Sequence, residues 1–292
     1  MKFSEVYNQS KKILSFEFFP PGTDSDVEQV KVLISRLAEE APEFMTVTYG
    51  AGGGTRSRTE QLVTFIHSEL RHLAVAHLTC VGHSSSEIDA ILDNLLHKGI
   101  GNIVALRGDP PKGQEAFIPH PQGFANACEL VDHISKRGTF SLAVAGYPEG
   151  HKETRSEQSD IEYLKRKVDA GGEVILTQLF FDENFYFRFC DKIRAAGISV
   201  PIVPGILPIG NVKQIRRFTA MCGASIPSRI LERLAKLESE PEAVVQFGTD
   251  ESIRMCSELL RNGAPGIHVY TLNKSTQTVP LVQALRSSGL LS

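Results

Sequence analysis

The chain of 292 residues is 41% hydrophobic, which is enough to fill the core of one large domain or two ordinary ones. Its 31 Lys and Arg residues against 34 Asp and Glu residues leave a formal net charge of -3, which argues against nucleic acid as a partner. No apolar stretch approaches the ~20 residues that span a bilayer, and the N-terminus lacks an apolar signal region, so we expect a cytoplasmic protein without membrane contact.

Short β-branched runs alternate with longer segments at helical spacing along the chain. The runs predict eight strands, at 13–18, 44–49, 73–80, 102–108, 140–147, 173–181, 201–208 and 266–272. Because each run is almost continuously apolar, it indicates a strand of a parallel sheet that helices cover.

Start and stop signals mark the helices between these strands. Ser84 and Glu87 predict a capping box, and Gly99 is placed to end that helix. Ser159 and Glu162 predict the same device two helices later. Beyond the seventh strand, an elaborated crossover is predicted from helical patterns near 211–221, 228–236 and 241–262.

Eight strands that each precede a helix predict an α/β fold, a (β/α)8 TIM barrel with extra helices between strands 7 and 8. Because the sequence contains no flexible linker, we expect a single domain over residues 1–292. A doubly wound open sheet is the alternative, but Thr55 stands where the third glycine of a GxGxxG fingerprint would be. The glycine cluster indicates either a flexible turn or access for a substrate, and it comprises Gly50, Gly52, Gly53 and Gly54.

The cysteines and histidines give no sign of a cross-link or a metal site. Five widely spaced cysteines without a CxxC pair argue against a disulfide framework and favour a reducing cytoplasm. His77 and His151 show no spacing typical of metal ligands, so we expect no metal.

Polar side chains gather where the predicted strands end, which is the face at which barrel enzymes carry their active sites. They are Glu17, Thr48, Tyr49, His77, Thr79, Arg107, Gly108, Asp109, Tyr147, His151, Gln178, Thr271, Asn273 and Lys274. Phenylalanines flank Glu17, so burial should raise its pKa and suit it to donate a proton near neutral pH; a structural salt bridge is the alternative. Arg107 and Asp109 form either part of a site or a local ion pair, and residues 165–167 form either part of a site or a solvated helix face.

Nine motifs follow one another from the first predicted strand to the eighth. They are SFEFFPP at 15–21, VTYGAGG at 47–53, HLTC at 77–80, IVALRGDPP at 103–111, VAGYPEGH at 144–151, LKRKVDAGG at 164–172, TQLFFD at 177–182, PGILP at 204–208 and YTLNK at 270–274. In this order the chain resembles the methylenetetrahydrofolate reductase family. Since the motifs are in register with the barrel periodicity, the resemblance is specific, and it favours the functional interpretation of these positions over the structural one.

The resemblance implies a barrel that binds FAD noncovalently and uses NADH or NADPH to reduce 5,10-methylenetetrahydrofolate to 5-methyltetrahydrofolate. Hydride would pass through FAD in a ping-pong sequence, and the product would supply methyl groups for methionine. The resemblance further implies a homo-oligomer, either a dimer or a tetramer. Because the chain ends soon after the eighth helix, we expect no C-terminal regulatory domain and no inhibition by adenosylmethionine.

The resemblance also implies roles for individual residues. Glu17 matches the family's general acid, which protonates N10 of the folate, and Asp109 matches an acid close to both flavin and pterin. The flavin-contacting positions correspond to Thr48, Tyr49, His77, Arg107, Gly108, Asp109, Ala127, Tyr147, His151, Asp160, Arg166 and Lys167. The substrate positions correspond to Asp109, Gln178, Gln214, Lys274 and Phe218, the last of which matches an aromatic that packs against the nicotinamide cofactor.

Two positions depart from the family pattern. Asn126 stands where the family often has Tyr, which concerns a contact with the adenine or ribityl part of FAD. Lys274 stands where the family often has Arg, so it can meet a folate carboxylate only as a point charge.

On the residues alone, three alternatives stay open: a pterin-binding barrel enzyme without flavin, a folate-binding protein without activity, and proline dehydrogenase, a flavin barrel of another substrate class. The basic set within 151–167 favours a flavin over the first, and a proton donor at Glu17 argues against the second. Because the chain contains no Trp, visible absorption by the purified protein would report a bound chromophore.

Overall fold

The computed structural model describes residues 1–8, 11–49, 55–110, 113, 116–154 and 156–292. The predicted glycine cluster Gly50, Gly52, Gly53 and Gly54 lies outside these residues, as does Pro111. The strands are β1 (Ile13–Phe18), β2 (Phe44–Val47), β3 (Ala74–Thr79), β4 (Asn102–Leu106), β5 (Ser141–Gly146), β6 (Gly172–Thr177), β7 (Ile202–Val203), β8 (Gly205–Ile206) and β9 (Gly266–Tyr270). The α-helices are α1 (Phe3–Tyr7), α2 (Val27–Ala38), α3 (Arg56–Ser68), α4 (Ser85–His97), α5 (Ala127–Ser135), α6 (Glu157–Asp169), α7 (Glu183–Ala195), α8 (Val212–Cys222), α9 (Ser228–Leu237), α10 (Pro241–Arg261) and α11 (Thr278–Ser287).

The strands form one parallel sheet that is rolled into a nearly closed barrel. Its order is β7-β6-β5-β4-β3-β2-β1-β9-β8. Strands β1 to β7 therefore lie side by side in chain order, and β9 returns to pair with the other edge of β1. Helices follow the strands and cover the outside of the barrel. The predicted (β/α)8 barrel with extra helices before the last strand is thereby confirmed.

The predicted seventh strand is divided into two short strands around Pro204, which is a correction to the single run at 201–208. β7 pairs with β6 and β8 pairs with β9, so this pair of strands closes the barrel from both sides. Pro204 has no N–H for a ladder, but its carbonyl accepts a hydrogen bond from His268 N at 3.0 Å. Gly205 must be glycine, because a Cβ there would lie 2.2 Å from the Thr177 carbonyl oxygen.

The pleat of the strands divides their side chains between two spaces, because successive residues of a strand point to opposite faces. In β1, Phe16 and Phe18 point outward into the main apolar core between barrel and helices. Ile13, Ser15 and Glu17 point into the barrel, where Ile13 joins a second apolar cluster and the other two contact polar groups of neighbouring strands. Along β1 the interior therefore changes from apolar to polar to charged.

Helix α1 closes the N-terminal end of the barrel. Phe3 and Val6 are fully buried in the interior cluster, where the Phe3 ring meets the Phe44 ring edge-on with centroids 5.4 Å apart. The Phe3 amide donates to Ser141 Oγ at 2.9 Å, and the Asn102 side chain donates to the Met1 carbonyl oxygen at 3.0 Å. The barrel thus has an apolar floor and a polar C-terminal mouth.

The helix caps follow the predicted pattern at one helix and differ from it at another. Ser84 Oγ accepts a hydrogen bond from Glu87 N at 3.3 Å, and the Glu87 carboxylate accepts one from Ser84 N at 2.8 Å. These two hydrogen bonds confirm the predicted capping box of α4. The predicted box of Ser159 with Glu162 is wrong, because α6 begins one turn earlier at an N-cap formed by Ser156, whose hydroxyl accepts from Ser159 N. Glu162 instead accepts a hydrogen bond from Gln158 on the outer face of the helix.

The crossover from β8 to β9 contains α8, α9 and α10, as predicted. These helices enclose a third apolar cluster with residues that follow β6 and β8, including Leu179, Phe181 and Leu207. Across the described part of the chain, no helix combines the length and the apolar character needed to span a membrane.

We expect the Phe3→Ala substitution to lower the free energy of unfolding by about 3 kcal/mol, because it leaves a cavity in the floor of the barrel. Urea denaturation of the two proteins measures the difference. Val32→Ala is the control, since Val32 is 71% exposed and its truncation should change the stability by less than about 0.5 kcal/mol. Equal effects of the two substitutions would show that α1 does not contribute to the core.

Candidate active site

The C-terminal mouth of the barrel is built around the carboxylate of Glu17, which is 6% exposed. Its Oε2 accepts a hydrogen bond from Nε2 of His268 at 3.2 Å and from the hydroxyl of Thr46 at 3.4 Å. Nε2 of His77 also lies 3.2 Å from Oε2 but makes no hydrogen bond with good geometry within the described structure. Side chains from β1, β2, β3 and β9 therefore meet at one carboxylate oxygen.

The expectation of a raised pKa for Glu17 is wrong. The flanking Phe16 and Phe18 point away from the carboxylate, and the groups that face it are imidazoles. Burial alone raises the pKa of Glu17, but the charge of His77, together with the hydrogen bond and charge of His268, lowers it to about 2. Glu17 is therefore ionised near neutral pH as long as a neighbouring imidazole supplies the opposing charge or a donor.

His268 was not among the predicted site residues, although it contacts Glu17 directly. It is fully buried, and its Nδ1 lies 2.8 Å from Ser15 Oγ. In the neutral ring, a hydrogen bond from the Ser15 hydroxyl to Nδ1 requires the ring proton to be on Nε2, where it points at Glu17. The strand register places Ser15 opposite His268, so the pleat of β9 is the signal that would have identified this residue.

Four of the predicted flavin positions, all in the segment from the end of β5 to α6, line one cavity. This cavity has a volume of about 410 Å³, and its lining includes Tyr147, His151, Asp160 and Lys167. The Tyr147 and His151 rings meet edge-on with centroids 4.7 Å apart, and Asp160 accepts a hydrogen bond from the His151 amide at 3.0 Å. These four predicted residues thus form one continuous wall.

Arg107 does not form a local ion pair with Asp109. Its guanidinium makes a two-pronged salt bridge with Glu153, one prong of which measures 2.9 Å, and it lies over the Phe117 ring at 5.1 Å. Asp109 is exposed beside Gly108, whose positive φ of 89° turns the chain into the mouth. Burial raises the pKa of the neighbouring Tyr147, and the charge of Asp109 raises it further.

The basic run at 165–167 is only partly a solvated helix face. Lys165 is outside and pairs with Asp169 at 2.8 Å. Lys167 is 4% exposed, donates to the Ala145 carbonyl oxygen at 2.5 Å and lies over the Tyr163 ring. Burial lowers the pKa of Lys167 to about 8, because the charged amine is desolvated.

Asn126, one of the two departures from the family pattern, begins helix α5. Its Oδ1 accepts from the amides of Cys128 at 3.0 Å and Glu129 at 3.1 Å, and so places the predicted flavin position Ala127 in the first turn. The hydroxyl of Tyr163 reaches the same oxygen at 3.4 Å. A tyrosine ring from α6 therefore lies next to Asn126.

The predicted substrate positions are distributed over α8 and the loops that follow β4, β6 and β9. Gln214 of α8 and Lys274 line a narrow cavity of about 10 Å³, which has room for about one water molecule. Phe218 follows one turn later on α8 and packs against the third apolar cluster. Gln178 follows β6, where its amide donates to the Gly146 carbonyl oxygen at 2.8 Å and its side chain accepts from Leu179 N.

The side chains of the mouth suit proton transfer and the binding of an anionic ligand. Among the described residues, no group of three or more His, Cys, Asp or Glu side chains is arranged to hold a metal ion. The five cysteines are free thiols. The fold and the position of these polar groups define a (β/α)8-barrel protein whose site lies at the C-terminal ends of the strands.

Comparison with known proteins defines the family within this class. The family model described as methylenetetrahydrofolate reductase matches residues 2–286, and the chain belongs to that family. It is 38% identical to the 5,10-methylenetetrahydrofolate reductase of Escherichia coli over 272 residues, which are 93% of this chain and 90% of that protein. It is 39% identical to methylenetetrahydrofolate reductase (NADH) 1 of Arabidopsis thaliana over 97% of this chain, but it spans only 50% of that relative.

Solved structures at low sequence identity share the fold. An uncharacterized protein from Clostridium thermocellum, described as binding two copies of 5-methyl-5,6,7,8-tetrahydrofolic acid, has a TM-score of 0.65 at 14% identity over 99% of both chains. A dihydropteroate synthase from Xanthomonas albilineans has a TM-score of 0.54 at 12% identity over 97% of this chain and 95% of that chain. These similarities concern the barrel alone.

The lowered pKa of Glu17 predicts a specific acid sensitivity. A carboxyl with a pKa of about 2 in the folded protein, against about 4.5 when unfolded, stabilises the fold above pH ~4.5 and loses that contribution as the pH falls towards 2. The free energy of unfolding should therefore fall more steeply over this range in the wild type than in Glu17→Gln. Urea denaturation at several pH values measures both slopes. Glu162→Gln, on the outer face of α6, should keep the wild-type slope, and parallel curves for wild type and Glu17→Gln would contradict the prediction.

Proposed function

We propose that the protein reduces 5,10-methylenetetrahydrofolate to 5-methyltetrahydrofolate, with FAD as a noncovalent cofactor and NADH or NADPH as the electron donor. The observation that carries the proposal is the buried Glu17 carboxylate between two histidines at the mouth, in a chain that the reductase family matches over residues 2–286. The E. coli relative, which this chain covers almost fully, carries the name of this activity, and the plant relatives are named for NADH.

The residues of the mouth fit FAD. Oγ1 of Thr79, at the mouth end of β3, is a buried polar atom without a hydrogen-bond partner in the described structure. Buried polar groups of this kind are costly unless a ligand or water satisfies them. His151 and Lys167 line the adjoining cavity and supply donors suited to phosphate and ribityl oxygens.

FAD, when bound, supplies a ring that accepts hydride from the nicotinamide and passes it to the folate. The chain would hold this cofactor through the wall of Tyr147, His151, Asp160 and Lys167, together with Arg107, whose guanidinium is positioned by Glu153. Lys167 is buried beside the Tyr163 ring, so a phosphate near its amine would favour the charged form of that amine. The charged amine would in turn bind the phosphate strongly.

The proton for N10 of the folate must come from the histidine–carboxylate cluster and not from Glu17 alone. With its pKa lowered, Glu17 holds no proton of its own near neutral pH. With a proton on both ring nitrogens of His268, the proton on Nε2, whose nitrogen lies 3.2 Å from Oε2 of Glu17, can pass to Glu17 and from there to the substrate nitrogen. The imidazolium thereby becomes a neutral imidazole that keeps its proton on Nδ1, next to Ser15 Oγ, and solvent restores the proton on Nε2.

Asp109 is suited to stabilise positive charge on the folate as its five-membered ring opens. Since Arg107 is neutralised by Glu153, the carboxylate of Asp109 is not used in an ion pair with it. A negative charge held at the mouth favours a developing cation. Gln178, Gln214 and Phe218 would then contact the two flat ligands in turn, and Lys274 would attract a folate carboxylate.

The first expected outcome is that the purified protein contains FAD or is reconstituted by it, with a visible absorption spectrum and no metal requirement. Lys167→Met should weaken FAD binding at least about 10-fold, because it removes a buried charge beside the cofactor. Lys165→Met is the matched control on the same helix, since Lys165 is exposed and pairs with Asp169. Fluorescence titration of the apoprotein measures both, and a protein that binds no FAD would refute the proposed cofactor.

The second expected outcome separates the two half-reactions at Glu17. Glu17→Gln should leave FAD bound and reducible by NADH, whereas reoxidation by methylenetetrahydrofolate should slow by at least ~100-fold, because only the second step needs a proton at N10. Stopped-flow absorbance follows each step in separate mixes. Glu162→Gln should leave both rates unchanged. If both rates fell equally in Glu17→Gln, Glu17 would position the flavin, and if neither fell, the proton would have another source.

A further inference from the structure

The loop that follows β9 contains two successive left-handed residues that are not glycine. Leu272 has φ of 49° and Asn273 has φ of 54°. This conformation is unfavourable for a residue with a Cβ, although Asn tolerates it better than Leu. Such strain persists only where other interactions hold the backbone in place.

The side chain of Asn273 supplies those interactions through the backbone of Phe19. Its Nδ2 donates to the Phe19 carbonyl oxygen at 2.8 Å, and its Oδ1 accepts from the Phe19 amide at 3.0 Å. Two residues earlier in both segments, Thr271 donates two hydrogen bonds to the Glu17 carbonyl oxygen, from its amide at 3.2 Å and from its hydroxyl at 2.7 Å. Asn273 thus extends the pairing of β1 with β9 past the end of both strands.

Phe19 directly follows β1 at the mouth end of the barrel. It is two residues beyond Glu17, so the alternation of β1, continued by one residue, places its side chain on the interior side. On the other edge of β1, the Thr48 amide donates to the Phe18 carbonyl oxygen at 2.9 Å, so the strand keeps its regular course up to this point. Unlike the buried Phe16 and Phe18, Phe19 is 37% exposed.

We propose that Phe19 is a substrate-contacting residue, which packs against a flat aromatic ring of the folate, and that Asn273 is the residue that positions it. An exposed aromatic ring whose backbone is bound at both its N–H and its C=O loses little further freedom when a planar ligand stacks on it. Phe19 is two residues along the chain from Glu17, which the proposed function assigns to folate chemistry. This position favours the folate over the nicotinamide as the ligand that Phe19 contacts. The inference rests on the proposed function.

The test measures the Kd of 5-methyltetrahydrofolate for the FAD-loaded protein by isothermal titration calorimetry. Phe19→Ala should raise this Kd on the order of 10-fold, while the rate of flavin reduction by NADH stays within about 2-fold of wild type. Asn273→Gly should also raise the Kd about 3- to 10-fold without lowering the Tm, because glycine relieves the left-handed strain. Since Asn273 acts through Phe19, the double variant should match Phe19→Ala alone.

Two controls accompany these variants. Arg71→Gly relieves the same kind of strain at φ of 59° elsewhere in the chain, and Val32→Ala truncates an exposed apolar side chain; both should leave the Kd unchanged. An unchanged Kd in Phe19→Ala, or an equal loss of NADH-dependent reduction, would overturn the role of Phe19. Additive effects in the double variant would overturn the role of Asn273. If the wild type itself binds no folate, the proposed function fails, which is a different result from wild-type binding that the variants do not alter.

Discussion

The buried charge of Glu17 is the constraint on which the organisation of the mouth depends. A carboxylate withdrawn from water is unfavourable by several kcal/mol unless hydrogen bonds and opposite charge offset the loss of hydration. Here those partners come from β2, β3 and β9, through Thr46, His77 and His268. Side chains of four strands therefore meet at one carboxylate oxygen, which links the register of these strands to one another.

The apolar floor of the barrel confines the buried polar groups to the open end, and so makes the burial of the Glu17 charge tolerable. Each interior-facing residue of β1 is two positions from the next, and the series Ile13, Ser15, Glu17 passes from the sealed end to the open one. Because Phe3 and Val6 of α1 close the floor, the polar groups approach solvent only at the mouth. The alternation of side chains along β1 thus both fills the core and places the Glu17 carboxylate at the mouth. A substitution at the apolar floor therefore acts on the Glu17 site through the register of the strands.

Local patterns in the sequence were sufficient for most strands and helices, because apolar runs are local features, but they did not show α1 or the division of the seventh strand at Pro204. Partners distant in the chain were not accessible in this way. Glu153 is 46 residues from the Arg107 that it pairs with, and nothing in the spacing indicates that contact. The adjacent phenylalanines suggested an apolar environment for Glu17, but the pleat turns Phe16 and Phe18 to the other face of the sheet. Ser159 with Glu162 fitted the local capping pattern, but in the packed structure α6 begins one turn earlier, at Ser156.

Two of the acidic groups around the mouth are held by defined partners, and a third is not. Glu153 holds Arg107 in a two-pronged geometry, and Asp160 is engaged by the His151 amide. Asp109, which lies nearest to Arg107 in sequence, is left exposed at the mouth. Because Arg107 pairs with a residue of the β5–α6 loop, the carboxylate of Asp109 is not used in an ion pair with it and stays exposed. A negative charge that is left unpaired in this way favours a cation that develops near it.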